Sequence, residues 1–311
     1  MENYNQKTRA SYREFLKGKR VVLVGPAPSI LDTSQGADID AFDVVVRLNK
    51  ALPLPEHLLK DIGTRTDVLY NCMNPGDECG GKIVFDVLKK NKVKYLVGAY
   101  PPLEELGSTR LRLKKDLESF YSNNRLKLID IKFCYFNNIN YFNQLWSIMK
   151  LPNTGVMAIL DLLKHDIAEL YITGITFFKG GYIQDYRPYT EAGVLDRMKQ
   201  YNLHHPDRQL SYMADRLLNS KRCVLDLALS DILKSEKSEK KLKSSEKKHK
   251  TKVKAVEIEE VSSELEETGY TSEMLVRITR CKVVLWKGDK ALSPSDPLRL
   301  ASAKGTSLVP F

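Results

Sequence analysis

RVVLVGPAPSI, residues 20–30, decides how this chain folds. Val21 to Val24 are apolar without interruption, so the run reads as a strand buried on both faces and not as one with a wet side. Gly25 ends it. A glycine after a buried strand lets the backbone turn close to a ligand. The GPAPS that follows, with Ala27 and Ser29, is either a plain turn or a ligand-facing loop. It is neither GxGxxG nor GxxxxGK[ST], so a dinucleotide fingerprint and a P-loop are both absent.

The same pattern recurs along the chain. FDVVVRLN (42–49), TDVLYNC (66–72), KVKYLVGAY (92–100), RLKLIDI (125–131) and AELYITGI (168–175) read as further strands. LEELGSTRLRLKKDLESFYSNN (103–124) and TGVMAILDLLK (154–164) read as helices between them. Strands alternating with helices predict an α/β fold, a mostly parallel sheet covered on both faces. Such sheets bind ligands beyond the carboxyl ends of their strands.

Residues just after each strand are therefore the candidates. Arg47 and Asn49 close the second strand; Asn49 can both donate to and accept from a base or ribose. The turn from Asp61 to Asp67 carries Arg65, which either belongs to a capped turn or pairs with an acid at the floor of a site. Asn153, Thr154 and Gly155 open a helix, where they serve as a cap, as an anion site, or as both. Gly174 ends a strand and leads into FFKGGYIQDYRPYT, whose Tyr182, Tyr186 and Tyr189 are packing residues or sugar contacts. His204 and His205 precede a helical run near Arg208. A near-neutral imidazole there suits a general base, with Asp185 and Asp207 the next candidates.

Taken in order, these segments resemble the eukaryotic-type sialyltransferases, glycosyltransferase family 29. VVLVGPAPSI through IDAFDVVVRLNKA to DIGTRTD is similar to the large sialylmotif, and LPNTGVMAILDLLKHDIAELYITGI to the small one. The Tyr182–Tyr189 stretch resembles the third motif, and His204 the very short motif that carries the base. The resemblance covers roughly residues 20–220. It implies a Rossmann-like sheet, a GT-A-like variant, and an inverting glycosyltransferase. It implies a CMP-sialic acid donor, a glycan hydroxyl acceptor, and no metal or other cofactor. It places the Gly25 loop and Asn49 on the nucleotide, Thr154 and Gly155 near phosphate or carboxylate, and His204 on the acceptor proton, with His205 as substitute. The chain departs from the pattern in three respects. Pro26 stands where the family often has asparagine, and Gln209 where it often has glutamate. Neither motif region has a cysteine suited to the disulfide that joins them in secretory members. Another nucleotide-sugar donor, or nucleotide binding without transfer, are the readings these departures leave open.

The net charge of +10 at first suggests a nucleic-acid binder. Most of the surplus lies in residues 234–254, which hold ten lysines and three glutamates. That run cannot form a core, so it reads as a solvated linker or as a tether to an anionic partner such as RNA, DNA or a membrane. The expected organisation is a nucleotide-sugar domain over 15–230 preceded by a polar arm, a lysine-rich linker over 231–256, and an extension over 257–311 with two short strands in EMLVRITRCKVVLW. With no transmembrane segment, no apolar leader in the first twenty residues and five scattered cysteines, a reducing, cytoplasmic setting is expected.

Overall fold

A computed structural model describes residues 1–77, 79–103, 113–201 and 204–240, together with strands at 274–279, 282–287 and 290–291. The chain divides into two units, Met1–Ser238 and Glu239–Phe311.

Seven strands form one sheet in the first unit. They are β1 (Arg20–Val24), β2 (Val44–Leu48), β3 (Val68–Asn71), β4 (Tyr95–Gly98), β5 (Lys132–Tyr135), β6 (Glu169–Thr173) and β7 (Cys223–Leu225). Their order is β5-β4-β3-β2-β1-β6-β7, and every neighbouring pair is parallel. β2, β3 and β4 are buried along their whole length, as strands covered on both faces must be. On one face, Leu23, Val46 and Val97 pack with residues of α1 (Glu2–Leu16), α6 (Ile139–Met149), α7 (Thr154–Leu162) and α9 (Pro206–Leu218). On the other, Val22, Val45, Leu69 and Leu96 pack with residues of α2 (Gly36–Asp40), α3 (Leu59–Ile62), α4 (Phe85–Lys90) and α5 (Leu113–Asn124). α8 (Glu191–Tyr201) lies between β6 and α9 in the chain. This is the α/β architecture that strand and helix alternation predicted.

Three expectations need correction. The amino-terminal arm is helix α1. Its Asn5, Thr8, Tyr12 and Leu16 fall at helical spacing and are buried, but half of that stripe is polar, so hydrophobic periodicity does not reveal it. Asn5 pairs like a strand residue with the edge of β5: its amide donates to the Tyr135 carbonyl at 3.3 Å and its oxygen accepts the Tyr135 N–H at 2.8 Å. RLKLIDI is a turn, with Leu126 83% and Ile129 73% exposed; the strand starts later, at Lys132, and is buried from Phe133 to Tyr135. Residues 227–240 are a helix, α10, whose Leu229 and Leu233 are fully buried, so the first part of the expected linker belongs to the domain. The rest of the lysine-rich run lies outside the described residues.

In the second unit, β8 (Met274–Thr279) and β9 (Lys282–Lys287) pair antiparallel, and β10 (Lys290–Ala291) adds to β9. Two of these are the strands expected in that segment.

α1 is locked to the sheet by charge as well as packing. Arg9 donates to both oxygens of Asp161 in α7, at 2.6 and 2.8 Å. The same carboxylate accepts the Tyr70 hydroxyl at 2.8 Å, and Tyr70 in turn meets the Tyr12 hydroxyl at 3.2 Å. Burial pushes the Asp161 carboxyl up, but Arg9 and Tyr70 outweigh it and hold it below the usual carboxylate range. Its stabilising contribution is thus complete above the unfolded value of about 3.9 and is lost as pH falls through the lower folded one. Removing the arginine leaves a buried anion with no counterion. Arg9→Ala is expected to destabilise the domain by about 3–5 kcal/mol in urea unfolding at neutral pH. The deficit should shrink as pH falls through the carboxylate range; a constant deficit would contradict the pairing.

Candidate active site

The strand order reverses at β1, whose neighbours are β2 on one side and β6 on the other. Connections leaving β1 and β6 diverge there, and a crevice opens beyond their carboxyl ends. Gly25 and Gly174 meet at this point. A Cβ on Gly25 would collide with the Gly174 carbonyl oxygen, and one on Gly174, whose φ is +65°, would lie 2.5 Å from Gly25 O. The two loops are stitched together by Ala27 N–H donating to Gly174 O at 2.8 Å and Ile183 N–H donating to Pro26 O at 2.9 Å. Asp226 accepts the Gly174 N–H at 2.9 Å and, with its other oxygen, the Leu229 N–H at 2.7 Å, so it caps α10 and fixes the glycine together.

Asn49 follows β2 in the left-handed region, at φ +51°, which asparagine tolerates better than most side chains. Its side-chain oxygen accepts the Cys72 N–H at 3.0 Å, and its amide reaches Thr154 Oγ1 at 3.3 Å. The ends of β2 and β3 are thereby tied to the start of α7. Asn153 caps that helix, accepting the Val156 N–H at 2.8 Å. The positive end of the α7 dipole thus faces the crevice beside Asn49.

His204 enters from the loop before α9, which forms an antiparallel bridge with Lys150. Its Nδ1 lies 2.6 Å from the Leu151 carbonyl oxygen. A carbonyl only accepts, so Nδ1 carries the proton in the neutral ring and Nε2 keeps its lone pair. Burial pushes the His204 imidazole below its ordinary value; the Leu151 bond opposes this and Arg187 adds to it. Phe178 stacks on the ring at 6.3 Å between centroids and 27° between planes. Phe177 and Phe178 both have positive φ, 52° and 74°. Strain of this kind persists only where the surroundings over-determine the backbone, and it gathers at functional sites. Fully buried Gln209 completes the arrangement. Its amide donates to the same Leu151 oxygen at 3.0 Å and its oxygen accepts the Asn153 N–H at 3.2 Å.

A cleft of about 350 Å³ is lined by Asn49, Asn153, Thr154, Tyr182, Tyr189 and His204. An adjoining one of about 80 Å³ is lined by Ala27, Gly155, Gly174 and Tyr186 and shares Asn49, Thr154 and Tyr182 with the first. Gly25 faces a third hollow of about 60 Å³, next to Arg47 and Asp185. Candidates far apart in sequence are thus brought to one end of the sheet.

Others are not. His205 occupies the N-cap position of α9 without capping it and lines none of these clefts. Ser29 sits in the 3-10 turn after β1 with its hydroxyl buried and unpartnered. Asp207 is exposed in the first turn of α9. Arg65 bonds to the Asp40 and Phe42 carbonyls and to Asp67, at the amino-terminal ends of β2 and β3, so it braces the sheet away from the crevice. Arg47 is buried and donates to the Ile62 carbonyl, the Arg65 carbonyl and Thr66. Arg187, Phe178, Cys72 and Tyr100 also line the larger cleft and were not singled out from the sequence. Among the described residues no group of three His, Cys, Asp or Glu could hold a metal ion, and no helix is long and apolar enough to cross a membrane.

The sequence model of glycosyltransferase family 29 (sialyltransferase) matches residues 5–160, half of the chain. The chain belongs to that family. It is a sialyltransferase-like glycosyltransferase, and the match runs from α1 into α7. Among solved structures, a mammalian sialyltransferase in complex with Gal-β-1,3-GalNAc-ortho-nitrophenol is 14% identical, with a TM-score of 0.43 over 68% of this chain and 71% of that one. A second mammalian sialyltransferase structure is 17% identical, with a TM-score of 0.42 over 70% and 78%. A search of curated proteins finds no match.

In this family 29 chain, Gln209 can donate to Leu151 O only because it is an amide. Gln209→Glu would set a carboxylate against that carbonyl and place negative charge beside His204. The variant should lose about 1–3 kcal/mol of stability. Its His204 pKa should rise in an NMR titration of the ring protons, because a nearby anion favours imidazolium. An unmoved pKa would show that the two residues are not coupled through Leu151.

Proposed function

We propose that this glycosyltransferase transfers sialic acid from CMP-sialic acid to a hydroxyl of a glycan, with inversion at the anomeric carbon. The observation that carries the reading is a single cleft holding both the amino terminus of α7 and a neutral His204 whose Nε2 has a lone pair to offer. A glycosyl transfer needs two things at once: a place for charge on the departing phosphate and a base for the incoming hydroxyl.

The phosphate of the donor lies at Asn153, Thr154 and Gly155. Charge grows there as the bond to the anomeric carbon breaks, so the α7 dipole and the Thr154 hydroxyl act most strongly in the transition state. Asn49 and the Gly25 loop hold the nucleotide across the reversal of the sheet. The acceptor hydroxyl gives its proton to His204 Nε2 as its oxygen attacks the opposite face of the sugar, and one displacement inverts the centre. Tyr182 and Tyr189 flank the sugars. Pro26 supplies no amide side chain to the nucleotide, which favours the alternative of another nucleotide-sugar donor. The choice is decided by calorimetry with CMP and UDP: CMP is expected to bind more tightly, and the reverse preference would replace the sialyl donor with another while keeping the transfer.

The base has its own test. His204→Ala should cut turnover by about 10²–10⁴-fold with little effect on nucleotide affinity. Because the imidazole is held below its ordinary value, the wild-type rate should rise with pH below about 6.5 and level off above it. A variant with full turnover, or one that keeps the acid limb, would move the base to another residue.

A further inference from the structure

Arg187 stands in the segment between β6 and α8, on the wall of the cleft that holds His204 and Thr154. Its guanidinium has five N–H donors, and one terminal nitrogen donates to the Cys79 carbonyl oxygen. Its Nε is buried with no hydrogen-bond partner. No described carboxylate lies within ion-pair distance of it. It packs against the paired rings of Tyr182 and Tyr186, at 5.4 and 5.3 Å from the guanidinium carbon to each centroid, with the two centroids 5.5 Å apart.

A cation with a buried, unpaired donor at the edge of a cleft is costly unless something anionic arrives to meet it. The two rings on one side and the Cys79 carbonyl limit how the planar group can turn, which lowers the entropy lost when it grips a ligand. A guanidinium fixed this way presents a fork that fits the two oxygens of a carboxylate. The donor phosphate already has a place at the start of α7, so the cleft has a second anionic seat.

We infer that Arg187 forms a carboxylate-binding subsite for a sugar acid, using its unpaired Nε–H and terminal N–H groups beside Tyr182 and Tyr186. The inference rests on the sialyl-donor reading for the identity of the sugar, but its geometry does not require that nucleotide. The carboxylate belongs either to the donor sugar or to an acidic residue at the end of the acceptor glycan.

The test uses the full chain with Arg187→Gln and Arg187→Lys. Calorimetry compares CMP with CMP-sialic acid, and kinetics compare lactose with sialyllactose as acceptors. Ligand-observed NMR compares free sialic acid with its methyl ester, an arm that needs no nucleotide. If the donor supplies the carboxylate, Arg187→Gln should weaken CMP-sialic acid at least tenfold while leaving CMP within twofold; the retained CMP affinity also shows that the variant is folded. If the acceptor supplies it, the loss should fall on the KM for sialyllactose and spare lactose. In either case the wild type should bind the free acid better than the ester, Arg187→Gln should abolish that preference, and Arg187→Lys should keep part of it. Equal loss of CMP and CMP-sialic acid would overturn the proposal by placing Arg187 on the phosphate, and unchanged values in every arm would overturn it outright. A wild type that prefers UDP to CMP yet still selects the free acid through Arg187 would sink the CMP donor alone.

Discussion

The contact between Gly25 and Gly174 is the constraint on which the rest of the molecule depends. β1 and β6 are far apart in sequence but adjacent and parallel in the sheet, in register from Arg20 beside Glu169 to Val24 beside Thr173. Beyond Val24 and Thr173 the two chains must part in different directions while their backbones nearly touch. Only residues without a Cβ allow this, and Gly174 needs the left-handed region as well. Once the crossing is made, the Gly25 loop, Asn49 and the start of α7 converge on one crevice. Asp226 extends the same constraint to α10, so the crossing also fixes where the last helix of the domain begins.

A second convergence lies at the Leu151 carbonyl. It accepts from His204 Nδ1 and from Gln209 Nε2, and Gln209 returns through its oxygen to the Asn153 N–H. The residue that caps α7 and the residue that offers an imidazole are therefore positioned by one peptide and one amide. Shifting either helix would cost hydrogen bonds at both. In the proposed inverting transfer a phosphate seat and a base act on opposite sides of a single carbon and need this kind of shared anchor, because small displacements between reacting groups lose large rate factors.

How much of this the sequence reveals depends on the range of the physics involved. Gly25, Asn49, Thr154 and Gly174 are visible because each follows a strand or opens a helix, and the general behaviour of parallel sheets selects such positions before any contact is known. α1 is hidden because its buried stripe is half polar: Asn5 and Thr8 are inside to serve the β5 edge and the core, and Arg9 meets a carboxylate 152 residues away. The start of β5 is misplaced because Leu126, Leu128 and Ile131 look like a strand, whereas Leu126 and Ile129 face solvent in a turn. Phe178 and Arg187 lie in a segment without periodicity, so their roles follow from the path of the loop and not from its composition. Nothing local to His204 predicts which of its nitrogens is protonated, since that is set by a carbonyl 53 residues earlier.

The electrostatics of the cleft tie these pieces into one device. Helix α7 brings the positive end of a dipole, and Arg187 brings a full charge that pushes His204 further toward its neutral form. Burial first, and the Arg187 charge after it, favour the deprotonated imidazole, which is the state a base requires. A carboxylate bound at the subsite proposed for Arg187 would partly cancel that charge and raise the affinity of Nε2 for a proton. The imidazole would then be a stronger base in the loaded site than in the empty one. Deprotonation in the empty site and basicity in the full one are opposite demands on a single group, and a cation that an acidic substrate would neutralise meets both. A permanent carboxylate beside the ring would satisfy only the second, because it would raise the pKa whether or not substrate were bound. The neutral amide of Gln209 at the shared carbonyl preserves that distinction.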